Sequence, residues 1–278
     1  MFAGRKLLIV TKHQKEKVIA PILEEQLGVS CLLNNDFDTD SLGTFSGEIE
    51  RKGDALSTLH EKCRLAAEHA SADLVVASEG SFGPHPSGFG IAADDELLLL
   101  IDRKNQLEII ARELSVETNF SGREIHGERD LMAFAEKALF PSHALILKND
   151  AINFNAVYKG INTRDELIFA YRKIQSNFGK VYAETDMRAM YNPSRMKVIE
   201  KACLQLAERI KSFCPQCQKP GFWVTAALAG LPCELCHFPT RTTLSHIYEC
   251  SHCHTKTEKK FPHGKEFEDP MYCDLCNP

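Results

Sequence analysis

The chain has 278 residues, 44% of them hydrophobic and 26% charged, with a formal net charge of −5 and a mean hydropathy of −0.24. That is enough apolar material for one large domain or two smaller ones, and the slight acidity gives no overall attraction for nucleic acid or an anionic membrane. No apolar run approaches the roughly 20 residues of a membrane helix, and the gap between Lys6 and Lys12 is too short for the apolar part of a signal peptide, so a cytoplasmic location is expected.

Lys6–Val10 reads as a strand. Glu16–Leu27 reads as a helix, with Val18, Ile22, Leu23 and Leu27 at helical spacing and Gly28 to end it. Residues 29–33 read as a second strand, and this β-α-β opening predicts a parallel sheet. Residues 34–53 form a long polar connection carrying Asp36, Asp38, Asp40, Glu48, Glu50, Arg51 and Lys52, either a functional loop or a solvated one. Asp54 can cap a helix reaching about residue 69, with Leu56, Leu59, Cys63 and Ala66 on its apolar face. Residues 73–77 are a buried strand, and the stretch from Ser78 to Gly88 reads as a loop with three glycines, two prolines, Glu79 and His85. A loop leaving a buried strand is where α/β folds place their chemistry.

Asp94, Asp95 and Glu96 lead into an apolar run at 97–101, which the turn at 102–105 pairs with 106–114 as a hairpin. Helices are expected at 128–139, at 163–176 with a Thr163 cap and acidic first turn, and from Asn192-Pro193 to 211; strands are expected at 142–148 and 181–184. The fold class is α/β, with a three-layer or mixed-sheet domain over residues 1–212, optionally divided near 149, and a small double zinc-ribbon domain over 213–278.

The cysteines carry the strongest signal. Cys31, Cys63 and Cys203 stand alone and read as small packed apolar residues, while Cys214/Cys217, Cys233/Cys236, Cys250/Cys253 and Cys273/Cys276 form four Cys-x-x-Cys pairs. Two thiolates at this spacing reach one tetrahedral ion, and four make a closed structural site, so two zinc ions are expected. The gaps of 15 residues between the first and second pairs and 19 between the third and fourth suit a short hairpin each, which favours sequential pairing; pairing first with third and second with fourth is the alternative. Disulfides are disfavoured without a secretion signal. His237, His252 and His254 adjoin the pairs, but four complete pairs leave them no vacancy. Six Lys/Arg against seven Asp/Glu in residues 213–278 give no basic excess for nucleic acid, which leaves a protein partner or the main domain as what the ribbons meet.

In the main domain Glu79, with Glu48, Glu50, Asp94 and Asp95, is a candidate carboxylate set for Mg²⁺, and Lys12, Lys15 or Lys17 a candidate phosphate contact. His85 is a candidate acid/base, with a rigid-loop hydrogen bond as its bland reading. Arg188 and Arg195 can clamp a phosphate or carboxylate with Asp186 orienting one of them, against a structural ion-pair network.

The runs Gly43-Thr44-Phe45-Ser46-Gly47-Glu48-Ile49-Glu50-Arg51-Lys52, Ala77-Ser78-Glu79-Gly80-Ser81-Phe82-Gly83-Pro84-His85-Pro86, Glu184-Thr185-Asp186-Met187-Arg188 and Asn192-Pro193-Ser194-Arg195-Met196, with the four cysteine pairs, resemble an uncharacterised bacterial family of unknown function over nearly the whole chain. Over residues 6–115, Thr11-Lys12-His13-Gln14-Lys15, Lys62-Cys63-Arg64-Leu65-Ala66-Ala67-Glu68 and Ala77-Ser78-Glu79-Gly80 occur in the order seen in inosine-triphosphate-pyrophosphatase-like proteins, which cleave nucleoside triphosphates with Mg²⁺. That resemblance implies Glu79 as a metal-site carboxylate and Lys15 as a phosphate contact. The chain departs from it where an Asn is usual after the first strand, Lys12 or His13 standing there, and where a pair of acids is reduced to Ser78-Glu79. Two functions follow as expectations: a Mg²⁺-dependent hydrolase of a nucleotide or other phosphorylated small molecule, or a non-catalytic adaptor whose ribbons recognise a protein.

Overall fold

A computed structural model describes residues 1–33, 54–88 and 90–278. The chain forms two compact units, Met1–Ala207 and Glu208–Pro278. Among the described residues no helix is long and apolar enough to cross a membrane.

The first unit opens with β1 (Lys6–Val10), α1 (Glu16–Leu27), β2 (Ser30–Leu33), α2 (Ala55–His69) and β3 (Leu74–Pro84). Gly28 ends α1 at φ 68°, a left-handed conformation that costs glycine little, and the Asp54 carboxylate accepts the Ser57 N–H at 2.7 Å to cap α2. β2 and β3 lie on either side of β1 and run parallel to it, as the β-α-β pattern requires. β4 (Ala92–Asp102) and β5 (Leu107–Ser115) then add as antiparallel strands, giving one mixed sheet in the order β2-β1-β3-β4-β5. Leu8, Val10, Val75, Ala77 and Leu99 meet Leu59, Cys63 and Ala66 of α2 on one face. Burial pushes the Cys63 thiol up to about 12, in keeping with its packing role.

One expectation is corrected here. Ser78 to Pro84 is not a loop; β3 continues through it, paired with β4 from Leu74↔Asp102 to Pro84↔Ala92. The run Leu97–Ile101 anchors the first part of a long partner strand, and its continuation at Ala92–Glu96 pairs with Gly80–Pro84 and holds even the glycine-rich part extended. β3 ends at Pro84 and β4 begins at Ala92.

The second sheet of the unit is four-stranded and antiparallel, in the order β6-β9-β7-β8, built from β6 (Gly122–Ile125), β7 (Leu145–Lys148), β8 (Val157–Ile161) and β9 (Val181–Thr185). Its core joins Leu145, Leu147 and Ala183 to Leu131 and Phe134 of α3 (Glu128–Lys137) and to Leu167 and Ile174 of α4 (Arg164–Phe178). The Thr163–Glu166 capping box is present at the start of α4.

α5 (Pro193–Lys211) follows. Asn192 is its cap, its side-chain Oδ1 accepting the Arg195 N–H at 3.0 Å. His143 adds a second cap: Nε2 accepts the Ser194 N–H at 3.2 Å and lies 2.9 Å from Ser194 Oγ. Burial lowers the His143 pKa below the usual imidazole value. The unfolded chain then binds a proton that the folded chain resists, so this cap stabilises fully above about pH 6.5 and fades as pH falls through the folded value. Urea titrations should show stability falling between pH 7 and pH 5, and His143→Gln should remove that slope while costing about 1 kcal/mol at pH 7. An unchanged slope in the variant would assign the pH dependence elsewhere.

Candidate functional site

The parallel strands β1 and β3 are neighbours whose helical connections leave in different directions, to β2 through α1 and from β2 through α2. The carboxyl ends of strands at such a switch point form the usual ligand crevice of an open α/β sheet. β1 stops at Val10, opposite Ala77, and β3 runs on. Six buried ionisable side chains collect there.

Strand alternation sorts the carboxylates. Glu79 shares the α2-facing side of the sheet with Ala77, and its carboxylate is paired with Lys62 from α2. Gly80 and Phe82 face the other way, opposite Glu96 and Asp94 of β4. Glu96, fully buried, accepts Arg195 Nε on Oε1 at 2.6 Å and Lys15 Nζ on Oε2 at 3.2 Å. Arg195 also donates to the Met187 carbonyl and lies 5.0 Å over the Phe82 ring. A Cβ on Gly80 would come within 2.3 Å of Glu96 Oε1, so this close pairing needs glycine beneath it.

Burial drives the Lys15 ammonium down to about 8 against the attraction of Glu96. Burial also works against the Glu96 carboxylate, but Arg195 and Lys15 outweigh it and keep its pKa below the usual range. Asp94 gets the opposite treatment: burial, with the Glu96 charge beside it, raises it from 3.8 to about 8. Among the described residues neither carboxylate oxygen of Asp94 accepts a hydrogen bond, its side-chain partner being the Glu96 carboxylate to which the protonated form can donate, and the Ser78 hydroxyl on the same face has no hydrogen-bond partner. Buried orphaned polar groups are costly in a resting structure and mark sites where a ligand supplies the missing partner.

Of the residues singled out from sequence, the structure gathers Lys15, Asp94 and Arg195 around Glu96 on one face of the sheet and puts Glu79 with Lys62 on the other. Asp95 points to the face of Glu79 but is engaged by Arg112 through two 2.7 Å bonds. His85 lies in the β3–β4 turn, roughly 20 Å along extended chain from Glu79, with Nδ1 accepting the Ser87 N–H at 3.2 Å; the hairpin carries it out of the cluster. Arg188 and Arg195 form no joint clamp: Arg188 is held by Asp186 through bonds of 2.9 and 2.6 Å and stacks on Tyr191, while Arg195 serves Glu96. Glu48 and Glu50 lie outside the described residues. Sequence reasoning missed Glu96 as a site residue, and Lys62. Their signals were a third acid two residues beyond Asp94, hence on its face, and a lysine between Leu59 and Cys63 on the apolar face of α2.

The second unit has a three-stranded antiparallel sheet of β10 (Phe222–Ala229), β11 (Thr243–Cys250) and β12 (Lys256–Lys260). Its eight paired cysteines form two groups able to hold a metal ion, Cys214/Cys217/Cys250/Cys253 and Cys233/Cys236/Cys273/Cys276. The pairing is interleaved, which corrects the sequential expectation. Residues 222–229 are one strand rather than a hairpin, so the second pair lies at the far end of β10, and β11 brings the third pair back beside the first through the Phe222↔Cys250 register. Sulfurs from different pairs stand 3.6 Å apart in the first group and 3.6 and 3.9 Å in the second. Four thiolates 2.3 Å from a tetrahedral Zn²⁺ would be about 3.8 Å apart, so the donor set fits that ion. Each pair is the same turn: Gln218, His237, His254 and Asn277 donate their N–H to the first cysteine's carbonyl at 2.9–3.0 Å. His237 and His254 are therefore turn residues at φ 59° and 58°, positions histidine tolerates.

Metal counting tests the interleaving. The double variant Cys214→Ser/Cys250→Ser damages one group and should leave one ion per chain; complete metal loss would restore the sequential arrangement. Asp94 has its own test. Because the folded chain keeps a proton that the unfolded chain releases between about pH 4 and pH 8, this group's contribution to stability falls as pH rises across that window. Asp94→Asn mimics the protonated form, so it should flatten that decline and be as stable as wild type, or more so, at pH 7.5. A destabilised variant with the wild-type slope would refute the assignment.

No curated protein matches the sequence. A family model does, over residues 62–278, which include Lys62, Glu79, Asp94, Glu96, Arg195 and all eight paired cysteines. That span is most of the chain, and the protein belongs to the family described as a domain of unknown function, DUF6671.

Proposed function

We propose that the first unit is a Mg²⁺-dependent hydrolase of a nucleotide or other phosphorylated small molecule, and that the cysteine groups of the second unit hold two structural Zn²⁺ ions. The observation that carries the catalytic reading is the buried Asp94 carboxyl group set against the Glu96 carboxylate, at the carboxyl ends of β1 and β3. Asp94 and Glu96, on one face of the sheet, offer oxygen ligands that suit a hard cation. Lys15 and Arg195 are paired with Glu96, and Lys62 with Glu79 on the other face, which leaves cations in excess of charged carboxylates while Asp94 is protonated. Such a set can exchange partners: the lysines turn to phosphate oxygens while the carboxylates take the metal. Mg²⁺ bound there would spread the charge of the transferring phosphoryl group. Lys15 binds and orients phosphate, and Arg195 keeps Glu96 ionised and in place. The likeness of residues 6–115 to inosine-triphosphate-pyrophosphatase-like proteins supports a nucleotide as substrate.

The zinc reading rests on four thiolates per group at tetrahedral separations. A unit of this size has little core, so metal supplies much of its folding free energy.

A thermal-shift screen with Mg²⁺ and nucleotides, followed by phosphate and pyrophosphate release on any hit, tests the enzyme. Asp94→Asn keeps the shape and removes the charge that Asp94 would offer the metal, and turnover should fall about a hundredfold or more, roughly 2.7 kcal/mol in the barrier. Lys15→Ala should mainly raise KM, and His85→Ala should change little. If a broad panel of nucleotides and sugar phosphates gives neither binding nor Mg²⁺-dependent turnover, the adaptor reading replaces this one.

A further inference from the structure

The two cysteine groups are built alike but present different surfaces. In the first, the residues between the cysteines are Pro215-Gln216 and Ser251-His252; in the second they are Glu234-Leu235 and Asp274-Leu275. Leu235 and Leu275 occupy the same position in their two turns, around one metal position, since Cys236 and Cys273 sulfurs are 3.6 Å apart. They are 71% and 62% exposed. The patch continues. Met271 and Tyr272, 58% and 62% exposed, directly precede Cys273, and the Asn277 side chain ties the Met271 carbonyl into the same turn at 2.9 Å. Phe267, whose ring lies 5.9 Å from that of His237, and Phe238 extend it along the other turn. Nothing in metal binding asks for leucine at a solvent-facing knuckle, as the polar first group shows.

Charge separates the groups too. Segments 213–221 and 250–256, around the first, carry Lys219 and Lys256 and no acid. Segments 231–242 and 261–278, around the second, carry Glu234, Glu266, Glu268, Asp269 and Asp274 against Arg241 and Lys265. Both of those cations are already paired, Arg241 with Asp274 and Lys265 with Glu268. Each exposed leucine thus follows a carboxylate, and the apolar patch has an acidic rim.

We infer that the Leu235/Leu275 face of the second cysteine group is a docking surface for a basic amphipathic segment of a protein partner, its apolar side chains seated on the leucines and its Lys/Arg side chains on the acidic rim. An apolar centre with a charged rim of one sign is the arrangement that gives such a contact both affinity and choice of partner. The inference is independent of catalysis in the first unit.

The test is selection of a random displayed peptide library on the metal-loaded full chain, with Leu235→Ser/Leu275→Ser as counter-target and Glu234→Lys/Asp274→Lys as a second variant. All three proteins should carry the same metal content, because none of the substituted side chains is a ligand. Peptides enriched on wild type should pair Lys or Arg with Leu, Ile or Phe at helical spacing, and should bind either variant at least about tenfold more weakly, as loss of a central apolar anchor or of its charged rim predicts. Raised salt should weaken them further. Failure to enrich anything on wild type over the leucine variant, or enrichment of acidic or uncharged peptides, would overturn the inference. So would concentration-dependent self-association of wild type that the leucine variant lacks, which would make a second copy the occupant.

Discussion

The Glu96–Arg195 ion pair is the contact on which the first unit turns. Glu96 comes from the middle of the first sheet, Arg195 from the first turns of α5, and the Met187 carbonyl that Arg195 also reaches follows the last strand of the second sheet. Both charges are out of water. Such a pair gains little over apolar packing, but leaving either partner alone is severely costly, about 3–5 kcal/mol. The surroundings are adapted to it: Gly80 yields space beneath it, Phe82 offers its ring face to the guanidinium, and Asn192 and His143 hold the start of the helix that carries the arginine.

Seen from that pair, the ionisation states around it follow in turn. Arg195 and Lys15 keep Glu96 charged, the charged Glu96 discourages ionisation of Asp94, and burial depresses Lys15. Asp94 and Lys15 are thereby moved toward neutrality from opposite sides around a firmly charged Glu96, an arrangement typical of sites that bind or process a charged ligand.

The second unit solves a different problem. Its antiparallel sheet separates the two ends of β10 by about 24 Å, at ~3.4 Å per step along its eight residues, and a metal position stands at each end. Antiparallel return then dictates that first and third, second and fourth cysteine pairs meet. Identical turn geometry in every pair leaves the intervening two residues free to differ, and they do, polar at one end and acidic–apolar at the other.

How much of this was legible depended on the range of the interaction. The capped helices, the parallel start of the sheet, the β4–β5 hairpin and the cysteine ligands follow from local periodicity, cap residues and a two-residue spacing, all of which act within a few positions of chain. Strand Ser78–Pro84 was misread because glycines and prolines mark turns locally, whereas ladder pairing with Ala92–Leu98 of the next strand holds them extended. The strands Gly122–Ile125 and Val157–Ile161 have weak local patterns and exist through their sheet neighbours. Likewise, the sequence displayed Glu79, Asp94 and Arg195 as candidates, but a charged side chain looks the same in a string of letters whether solvated or buried. Which carboxylate is paired with a cation, which is held protonated, and which cysteine pairs share a metal position are decided by contacts between residues far apart in the chain, 17 apart for Lys62–Glu79 and 99 for Glu96–Arg195, and only the tertiary structure sets those.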